Sequence, residues 1–447
     1  MLGMKMTHCI VRLALIVCLA AAAGCGLRIA ARPAPLPASA SSPPEPVNAC
    51  ELISEPGEPV GTVALSEPVD PSHAPYPSNE SERLLFRQLY ETLVRVNCDG
   101  RVVPGLADSW KFDANARAWI VTLRPNPRFS DGTPVTAADV ASAWSNGGRL
   151  VRSVRAVDDR TLEITLRNPS ADAPLPLAHT DLAIARRIPG SRWPLGTRAA
   201  TVASDGPLEI TVENPSPVRF VLARNRDVRD LLDQGVDLLL TRDERALDYG
   251  ATLPQFVSLP LAWQRTRVLL TPGRTARSLS TEERQSLADD AVQGPARGAA
   301  GPFWWQWLPE CEIANSPKRD PSPSSTGRIV YDGSDSAARE LAERLVALAR
   351  TSGTSANRPY QSASGLTGDA LVQARRRGAD AAYIISLDTR PLDPCREMQA
   401  LVDNAGWIDP ETIIPLVDTR LEAIVRRGRS GVTVDGDGGL LLGVPGR

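Results

Sequence analysis

The chain has 447 residues, of which 42% are hydrophobic, with 50 basic and 52 acidic side chains and a formal net charge of −2. This composition is that of an ordinary globular protein with about two to three domains. Because neither sign of charge predominates, no strong field would steer the protein to a polyanion, and we expect no nucleic-acid partner.

Residues 1–24 have the composition of a secretory signal. They contain basic residues, no acidic residue, and an apolar run from Leu13 to Ala23 that is short for a membrane span. The run ends in Ala22-Ala23-Gly24-Cys25, which resembles a bacterial lipobox, although lipoboxes favour Leu where Ala22 stands. We expect Cys25 to become the lipidated first residue of the mature protein. The alternative is cleavage elsewhere, with Cys25 as an ordinary thiol.

Residues 25–49 form a stretch rich in Pro, Ala and Ser. Such a stretch cannot bury a core, and its prolines favour a stiff, partly polyproline conformation. We therefore expect a tether that holds a folded body away from the lipid surface.

The first folded elements are well marked. Asn79, followed three residues later by Glu82, predicts a capping box at the start of a helix that ends near Val96. Asp99-Gly100 predicts the turn of a β-hairpin between two valine-rich runs.

Three further elements follow the hairpin. The alternating runs Trp119–Leu123 and Thr161–Leu166 each predict a half-buried strand. Between them, Thr136 with Asp139 at the third helical position predicts the start of a helix.

This part of the chain carries a resemblance to a known family. The blocks that carry it are Leu89–Val94 (LYETLV), Val103–Trp110 (VPGLADSW), Leu123-Arg124, Phe129 with Asp131–Val135 (DGTPV), and Ala138-Asp139-Val140. In this order and spacing, over about fifty residues, the sequence resembles the extracellular solute-binding proteins of family 5. These are the oligopeptide, dipeptide and nickel receptors of ABC importers.

The resemblance implies an α/β fold of the two-lobed, periplasmic-binding-protein-like kind (Venus flytrap, peptide-binding class), with a small extra amino-terminal subdomain and a shortened second lobe. On this basis lobe I spans 50–266, with the subdomain at about 76–180. Lobe II spans 267–390, and residues 391–447 return to lobe I. The hinges are expected near Arg267–Pro272 and Ser386–Pro391.

The rest of the chain has α/β character. Leu208–Val212, Phe220–Ala223 and Tyr383–Ile385 predict strands, and Gly235 predicts the end of a helix before a buried strand. A helix is also expected over Thr281–Val292. Strand, helix, helix and strand follow from Ile329 to Ile385.

The resemblance also suggests ligand-binding residues. In the peptide-binding members an Asp at the return crossing pairs with the amino terminus of the ligand, and Asp388 is the matching position, with Arg390 beside it. The family usually has a Trp shortly before this Asp and a Tyr-Pro after it, and this chain has neither. A turn-forming role is the alternative for Asp388.

Aromatic residues are the other candidates. Trp263 lies before the expected crossing strand, and Phe303–Trp307 is the densest aromatic cluster of a chain that is 5% aromatic. Trp305 and Trp307 are the candidates in this cluster for stacking on a ligand. Packing in the core or hinge is the alternative, and the favoured one, because aromatic side chains supply so much core area.

Four cysteines follow the tether, and they allow three pairings. We favour Cys50 with Cys98 and Cys311 with Cys395, because each pair then lies within or at the edge of one lobe. Their spacing matches no common zinc pattern, and only two histidines accompany them, so we expect no metal site and no cofactor.

The function implied by the resemblance is a lipid-anchored component of an ABC importer, outside the cytoplasmic membrane of a bacterium. It would act as a monomer, bind an oligopeptide or similar small polar ligand by hinge closure, and deliver it to the membrane permease. We expect no enzyme, because Gly-x-Ser-x-Gly and His-Glu-x-x-His are absent. The alternative is a degenerate member of the family, acting as a surface sensory or protein-interaction lipoprotein without a transport role.

Overall fold

A computed structural model of the chain describes residues 50–53, 55–145, 150–168, 174–214, 216–224, 226–271, 303–306, 311, 327–351, 360–377, 381–404, 407–408 and 413–443. The helix expected over Thr281–Val292 and the side chain of Trp307 lie outside these residues, as do the signal and the tether. None of the described helices has the length and apolar character needed to cross a membrane.

The described residues form strands and helices in an α/β arrangement. In chain order the strands are β1 (Glu58–Pro59), β2 (Thr62–Leu65), β3 (Val94–Val96), β4 (Val102–Pro104), β5 (Ala107–Asp113), β6 (Ala118–Leu123), β7 (Val151–Ala156), β8 (Thr161–Leu166), β9 (Thr201–Asp205), β10 (Glu209–Asn214), β11 (Ser216–Leu222), β12 (Leu238–Thr241), β13 (Phe256–Pro260), β14 (Arg265–Leu270), β15 (Arg328–Asp332), β16 (Ser362–Leu366), β17 (Ala382–Asp388), β18 (Ile413–Thr419), β19 (Glu422–Arg426), β20 (Arg429–Ser430), β21 (Val432–Val434) and β22 (Leu440–Leu442). The helices are α1 (Glu80–Leu89), α2 (Ala137–Ala143), α3 (Arg229–Asp233), α4 (Glu244–Thr252), α5 (Ser336–Thr351), α6 (Gly368–Arg377) and α7 (Pro394–Asn404). Short 3₁₀ turns span Pro71–His73, Leu175–Ala178, Thr180–Leu182 and Trp304–Gln306.

The first lobe is built on a seven-stranded sheet in the order β13-β19-β12-β2-β11-β10-β9. Successive residues of a strand point to opposite faces, so Val63 joins the core on the α1 side while Ala64 joins the core beneath α3 and α4. Both faces are therefore covered, which explains the nearly continuous apolar character of β2 and β12.

The second lobe has a five-stranded sheet in the order β16-β15-β17-β14-β18. It is also covered on both faces. Leu269 and Ile384 pack on the side of α5, whereas Val268 and Tyr383 pack on the side of α6 and α7. The two sheets define a two-lobed fold.

The small subdomain has its own four-stranded antiparallel sheet, β5-β6-β8-β7, and its own core from Leu93 to Ile184. Its expected strands, the β3–β4 hairpin and the Thr136–Asp139 capping box are confirmed. Its expected start at about residue 76 is wrong, because the apolar face of α1 packs in the core of the first lobe.

Helix α1 is shorter than predicted. It ends at Leu89, not near Val96, because Val94–Val96 pairs with Val102–Pro104 in the hairpin. Its capping box is half formed. The Asn79 side chain accepts a hydrogen bond from the Glu82 amide at 2.8 Å, but the Glu82 carboxylate turns away.

The boundary of the second lobe also differs from the prediction. Strand β18 pairs with β14 from Ile413 to Thr419, so the chain stays in the second sheet until Thr419 and returns through Arg420 and Leu421. The expected return at 391 is therefore wrong. The segment that crosses from the first lobe to the second is 261–264, so the second lobe begins before the expected boundary at Arg267.

The two crossings are hydrogen-bonded to each other. The amide of Leu261 donates to the Leu421 carbonyl at 3.0 Å, and the amide of Gln264 donates to the Thr419 carbonyl at 3.2 Å. Because β13 pairs with β19 and β14 with β18, the crossings form one antiparallel ribbon between the sheets. This ribbon is where the chain passes between the two lobes.

Both disulfides have the pairing favoured from the sequence. Cys50 is bonded to Cys98, and Cys311 to Cys395. The first ties the beginning of the described chain to the hairpin turn, and it closes a sequence separation of 48 residues. Closing a loop of that length removes entropy from the unfolded chain.

The Glu82 carboxylate yields a prediction about stability. It is 1% exposed and accepts hydrogen bonds from the amides of Ser78 and Asp70 at 2.7 and 2.9 Å, and it contacts His73 Nδ1 at 2.8 Å. Burial opposes ionisation, but these hydrogen bonds outweigh it and hold the pKa of Glu82 below its usual range. We expect Glu82→Gln to lower the free energy of unfolding at pH 7 by about 2 kcal/mol, since a hydrogen bond to a charged group contributes roughly 1.5–3 kcal/mol.

Chemical denaturation would measure this loss, with Glu213→Gln, at an exposed position on β10, as the control. A carboxylate with a lowered pKa stabilises the fold above its unfolded pKa, and this contribution disappears as the pH falls through the folded pKa. The difference between wild type and Glu82→Gln should therefore shrink in acid. Equal stabilities at pH 7 would contradict the role of Glu82.

Candidate functional site

The region between the lobes is built around the ribbon and the end of β17. Asp388, the last residue of β17, lies opposite Arg265 of β14, and its carboxylate is 3.0 Å from the guanidinium. The Asp388 side chain is 38% exposed, so it remains accessible despite this ion pair. The carbonyl of Asp388 accepts a hydrogen bond from the Trp304 indole at 2.8 Å. The sequence prediction did not include Arg265 or Trp304 in the site.

The aromatic candidates are separated. Trp263 is half-buried, and the guanidinium of Arg420 lies 4.4 Å from the centre of its ring. Trp305 is 1% exposed and stacks on Phe303 with ring centres 4.6 Å apart, in the core of the second lobe. Trp305 therefore has the packing role that was the favoured interpretation of the aromatic cluster. Arg390 is exposed.

Asp393 has a structural position. Its carboxylate accepts a hydrogen bond from the Arg396 amide at 3.0 Å and so caps α7. A longer contact of 3.3 Å reaches the Asn168 side chain of the subdomain.

Glu397, which follows Arg396 in α7, was not expected in the site. Burial and the charge of Asp388 raise the pKa of its carboxyl.

A second group of contacts joins the second lobe to the subdomain. Arg396 forms an ion pair with Asp181, and its guanidinium donates to His179 Nε2 at 2.7 Å. Beside it, Leu392 packs against the core of the subdomain. Arg396 and Leu392 therefore add an ionic and an apolar contact between the lobes to that of Asp393 with Asn168. No sequence signal linked Arg396 to His179, because the two are 217 positions apart.

A cavity of about 40 Å³ lies at this meeting point. Its walls come from α1, from the chain entering the hairpin, from residues 178–183, from Arg198 and the turn at 435–437, and from Leu392 of the second lobe. Among the described residues, no three His, Cys, Asp or Glu side chains are grouped so that they could hold a metal ion. The cavity thus offers charged and hydrogen-bonding side chains from the first lobe and the subdomain, and an apolar side chain, Leu392, from the second lobe.

The structure is a two-lobed α/β fold with a cavity where the lobes meet. Residues 101–231 match the family model described as bacterial extracellular solute-binding proteins, family 5 Middle. The resemblance seen in the sequence is confirmed over this part of the chain, where the match is to family 5 of the extracellular solute-binding proteins.

Curated relatives match over part of their length. The periplasmic murein peptide-binding protein MppA of Escherichia coli (strain K12) is 44% identical over 78 residues, which cover 17% of this chain and 13% of MppA. The periplasmic oligopeptide-binding protein OppA of the same strain is 32% identical over 117 residues, which cover 20% of this chain and 21% of OppA. The chain thus aligns with about a fifth or less of these relatives.

Solved structures extend the comparison to the whole fold. The dipeptide-binding protein of Pseudoalteromonas sp. SM9913, in complex with Met-Leu, has a TM-score of 0.61 and 13% identity, over 85% of this chain and 98% of that chain. At this identity the similarity shows the two-lobed fold alone.

The contact between Arg396 and His179 predicts a pH dependence. Burial, with the nearby charge of Arg396, lowers the pKa of His179 to about 4. In the unfolded chain the His179 side chain binds a proton near pH 6.5, whereas in the folded protein it does so only near pH 4. The free energy of unfolding should therefore fall as the pH drops from about 6.5 to about 4. We expect His179→Gln to flatten this part of the profile in thermal unfolding between pH 7.5 and 4.5.

His73 is the matched control, because its hydrogen bond with Glu82 raises its pKa. The stabilisation from protonated His73 is complete below its unfolded pKa and is lost as the pH rises through its folded pKa. This pH dependence of stability is opposite in sign to that of His179. His73→Gln should leave the acid-side loss in place. A profile unchanged by His179→Gln would show that this side chain does not sense pH.

Proposed function

We propose that the protein is the extracytoplasmic ligand-binding component of an ABC importer, and that it binds an oligopeptide or a similar small polar ligand between its lobes. The observation that supports this most is the cavity, whose walls come from the first lobe, the subdomain and the second lobe. Two relatives are named for murein peptide and oligopeptide binding, and the dipeptide-binding protein was solved in complex with Met-Leu.

Binding would act through closure of the lobes. A ligand that contacts both lobes only in the closed state binds that state more tightly, and the difference in affinity shifts the population towards it. The ribbon of the two crossings supplies the hinge, and the surfaces near Arg396 and Leu392 are those that meet. Asp388 would offer a partly exposed carboxylate to a ligand ammonium group, in competition with Arg265.

The anchor and location belong to the same proposal. Cys25 would carry the lipid, residues 25–49 would form the tether, and the folded body would lie at the outer face of the bacterial cell membrane. The protein would act as a monomer that delivers its ligand to a permease. It would need no catalytic residue, metal or cofactor.

One set of contacts favours a second candidate, a sensory or interaction lipoprotein that has lost transport. Asp388 is already paired with Arg265, Arg396 is paired with Asp181, and the cavity has a volume of only about 40 Å³. A cleft whose charges satisfy one another needs no ligand to close. This candidate predicts lobes that stay together without a solute.

A ligand screen separates the two candidates. We expect at least one class among peptides, nickel complexes and siderophores to raise the unfolding temperature, because a ligand present at about 100 times its dissociation constant adds roughly 2.7 kcal/mol of stability. Small-angle scattering with the same ligand should show a more compact protein. Arg229→Gln, an exposed change on α3, serves as the control variant.

The importer proposal fails if no class changes either measurement. The second candidate would then be preferred, since it predicts the same compact state with and without solutes. A thermal shift without compaction would support binding but contradict closure as its mechanism.

Lipidation at Cys25 is tested separately in the bacterial host. We expect Cys25→Ala to release the protein from the membrane fraction and to abolish incorporation of labelled palmitate. Cys18→Ala, inside the apolar run, is the matched control and should leave both unchanged. Membrane retention and labelling that survive Cys25→Ala would rule out this anchor.

A further inference from the structure

The cavity between the lobes has an excess of positive charge. Its walls include four arginines, Arg83, Arg87, Arg95 and Arg198, and three carboxylates, Glu91, Asp435 and Asp437. A volume of about 40 Å³ has room for a group the size of a carboxylate.

The first of these carboxylates is fully occupied. Both oxygens of Glu91 accept hydrogen bonds from Arg124, at 2.9 and 3.0 Å. This bidentate pair is the strong geometry for arginine and carboxylate. Glu91 is therefore hydrogen-bonded to Arg124, and it acts on Arg198 only through its charge.

The other two carboxylates are also taken. Arg87 donates to Asp435 Oδ2 at 2.6 Å and to Asp437, while the second oxygen of Asp435 lies 3.4 Å from Arg95. The remaining oxygen of Asp437 accepts from the Gly439 amide at 3.0 Å. Three of the four arginines have carboxylate partners, since Arg83 lies 3.5 Å from Glu80.

Arg198 is the cation that remains. Among the described residues no carboxylate lies within 4.0 Å of its guanidinium, and its Nε is buried without a hydrogen-bond partner. Burial also lowers the pKa of Arg198, which reflects the cost of keeping its charge there.

The backbone fixes where this side chain begins. The amide of Arg198 donates to the Leu89 carbonyl at 3.2 Å, and Thr197 Oγ1 accepts from the Glu91 amide at 3.0 Å. At Gly196 an added Cβ would lie 2.1 Å from the Leu89 oxygen, so only glycine allows this close approach. Arg198 is therefore held against the end of α1 and aimed into the cavity wall.

We propose that the cavity is an anion subsite in which Arg198 binds a carboxylate of the ligand. This rests on the proposed function, and it narrows the ligand to molecules with an acidic end. A partly buried guanidinium whose Nε has no acceptor and which has no carboxylate partner among the described residues is costly, and a ligand carboxylate would supply the charge and the hydrogen-bond acceptors. Outside the cavity, the rest of the ligand would extend towards the ribbon and Asp388.

Isothermal titration with matched peptides tests this subsite. The probes are Ala-Ala-Ala, Ala-Glu-Ala and Ala-Gln-Ala, each as the free acid and as the carboxy-terminal amide. We expect wild type to bind the acids about tenfold or more tightly than the amides, if the terminal carboxylate is the one bound. If a side-chain carboxylate is bound instead, Ala-Glu-Ala amide should keep the tighter binding and Ala-Gln-Ala amide should lose it.

Variants of Arg198 show whether this side chain is responsible. Arg198→Gln should abolish the preference for a carboxylate, Arg198→Lys should retain part of it, and Arg229→Gln should leave it unchanged. The ligand-free unfolding temperature of Arg198→Gln should equal or exceed that of wild type, because a partly buried charge without a described carboxylate partner is removed. A merely structural role for Arg198 predicts a lower unfolding temperature and no loss of discrimination.

The outcomes are distinct. Equal affinity of wild type for acids and amides, including Ala-Glu-Ala and Ala-Gln-Ala amides, overturns the anion subsite and leaves the proposed function standing. Carboxylate preference that survives Arg198→Gln also overturns the assignment to Arg198. Binding of no peptide contradicts the proposed peptide ligand, and the subsite with it.

Discussion

The structure depends on one antiparallel ribbon, in which residues 261–264 and 420–421 run side by side between the two sheets. Each crossing continues a strand pair on both sides, β13 with β19 and β14 with β18. The hydrogen bonds of the ribbon therefore fix how the strands of one sheet continue into the other. The position of one lobe relative to the other depends on this ribbon.

The charges near the ribbon are mostly satisfied within the protein. Asp388 has Arg265, Arg396 has Asp181, and Glu91 has Arg124. Such pairs cost desolvation and give little net stability, but they fix side chains in place. Among the arginines that line the cavity, Arg198 alone has no carboxylate partner in the described part of the chain. Under the proposal above, ligand selection would depend on this side chain.

Local signals predicted local structure well. The hairpin turn at Asp99-Gly100 and the cap at Thr136 depend on residues a few positions apart, and both are present. The return crossing was placed too early because the apolar residues of Ile413–Thr419 do not reveal which sheet this strand joins, and its partner β14 lies far away in the sequence. The same limit applies to the site. Resemblance located Asp388, whereas its partner Arg265 is 123 positions away and could be found only from the pairing of β14 with β17.

The ribbon also determines what kind of motion the lobes can make. The hydrogen bonds between the two paired segments oppose sliding of one segment along the other, whereas bending or twisting a two-stranded ribbon disturbs few of them. Closure would then be a rotation of the lobes about the ribbon, in which a small change of its twist moves the far ends of the lobes by a larger distance. Trp263 and Arg420 pack together on this ribbon and do not line the cavity. Their contact would set the stiffness of the ribbon, and with it the rate at which the lobes separate, without contacting the solute.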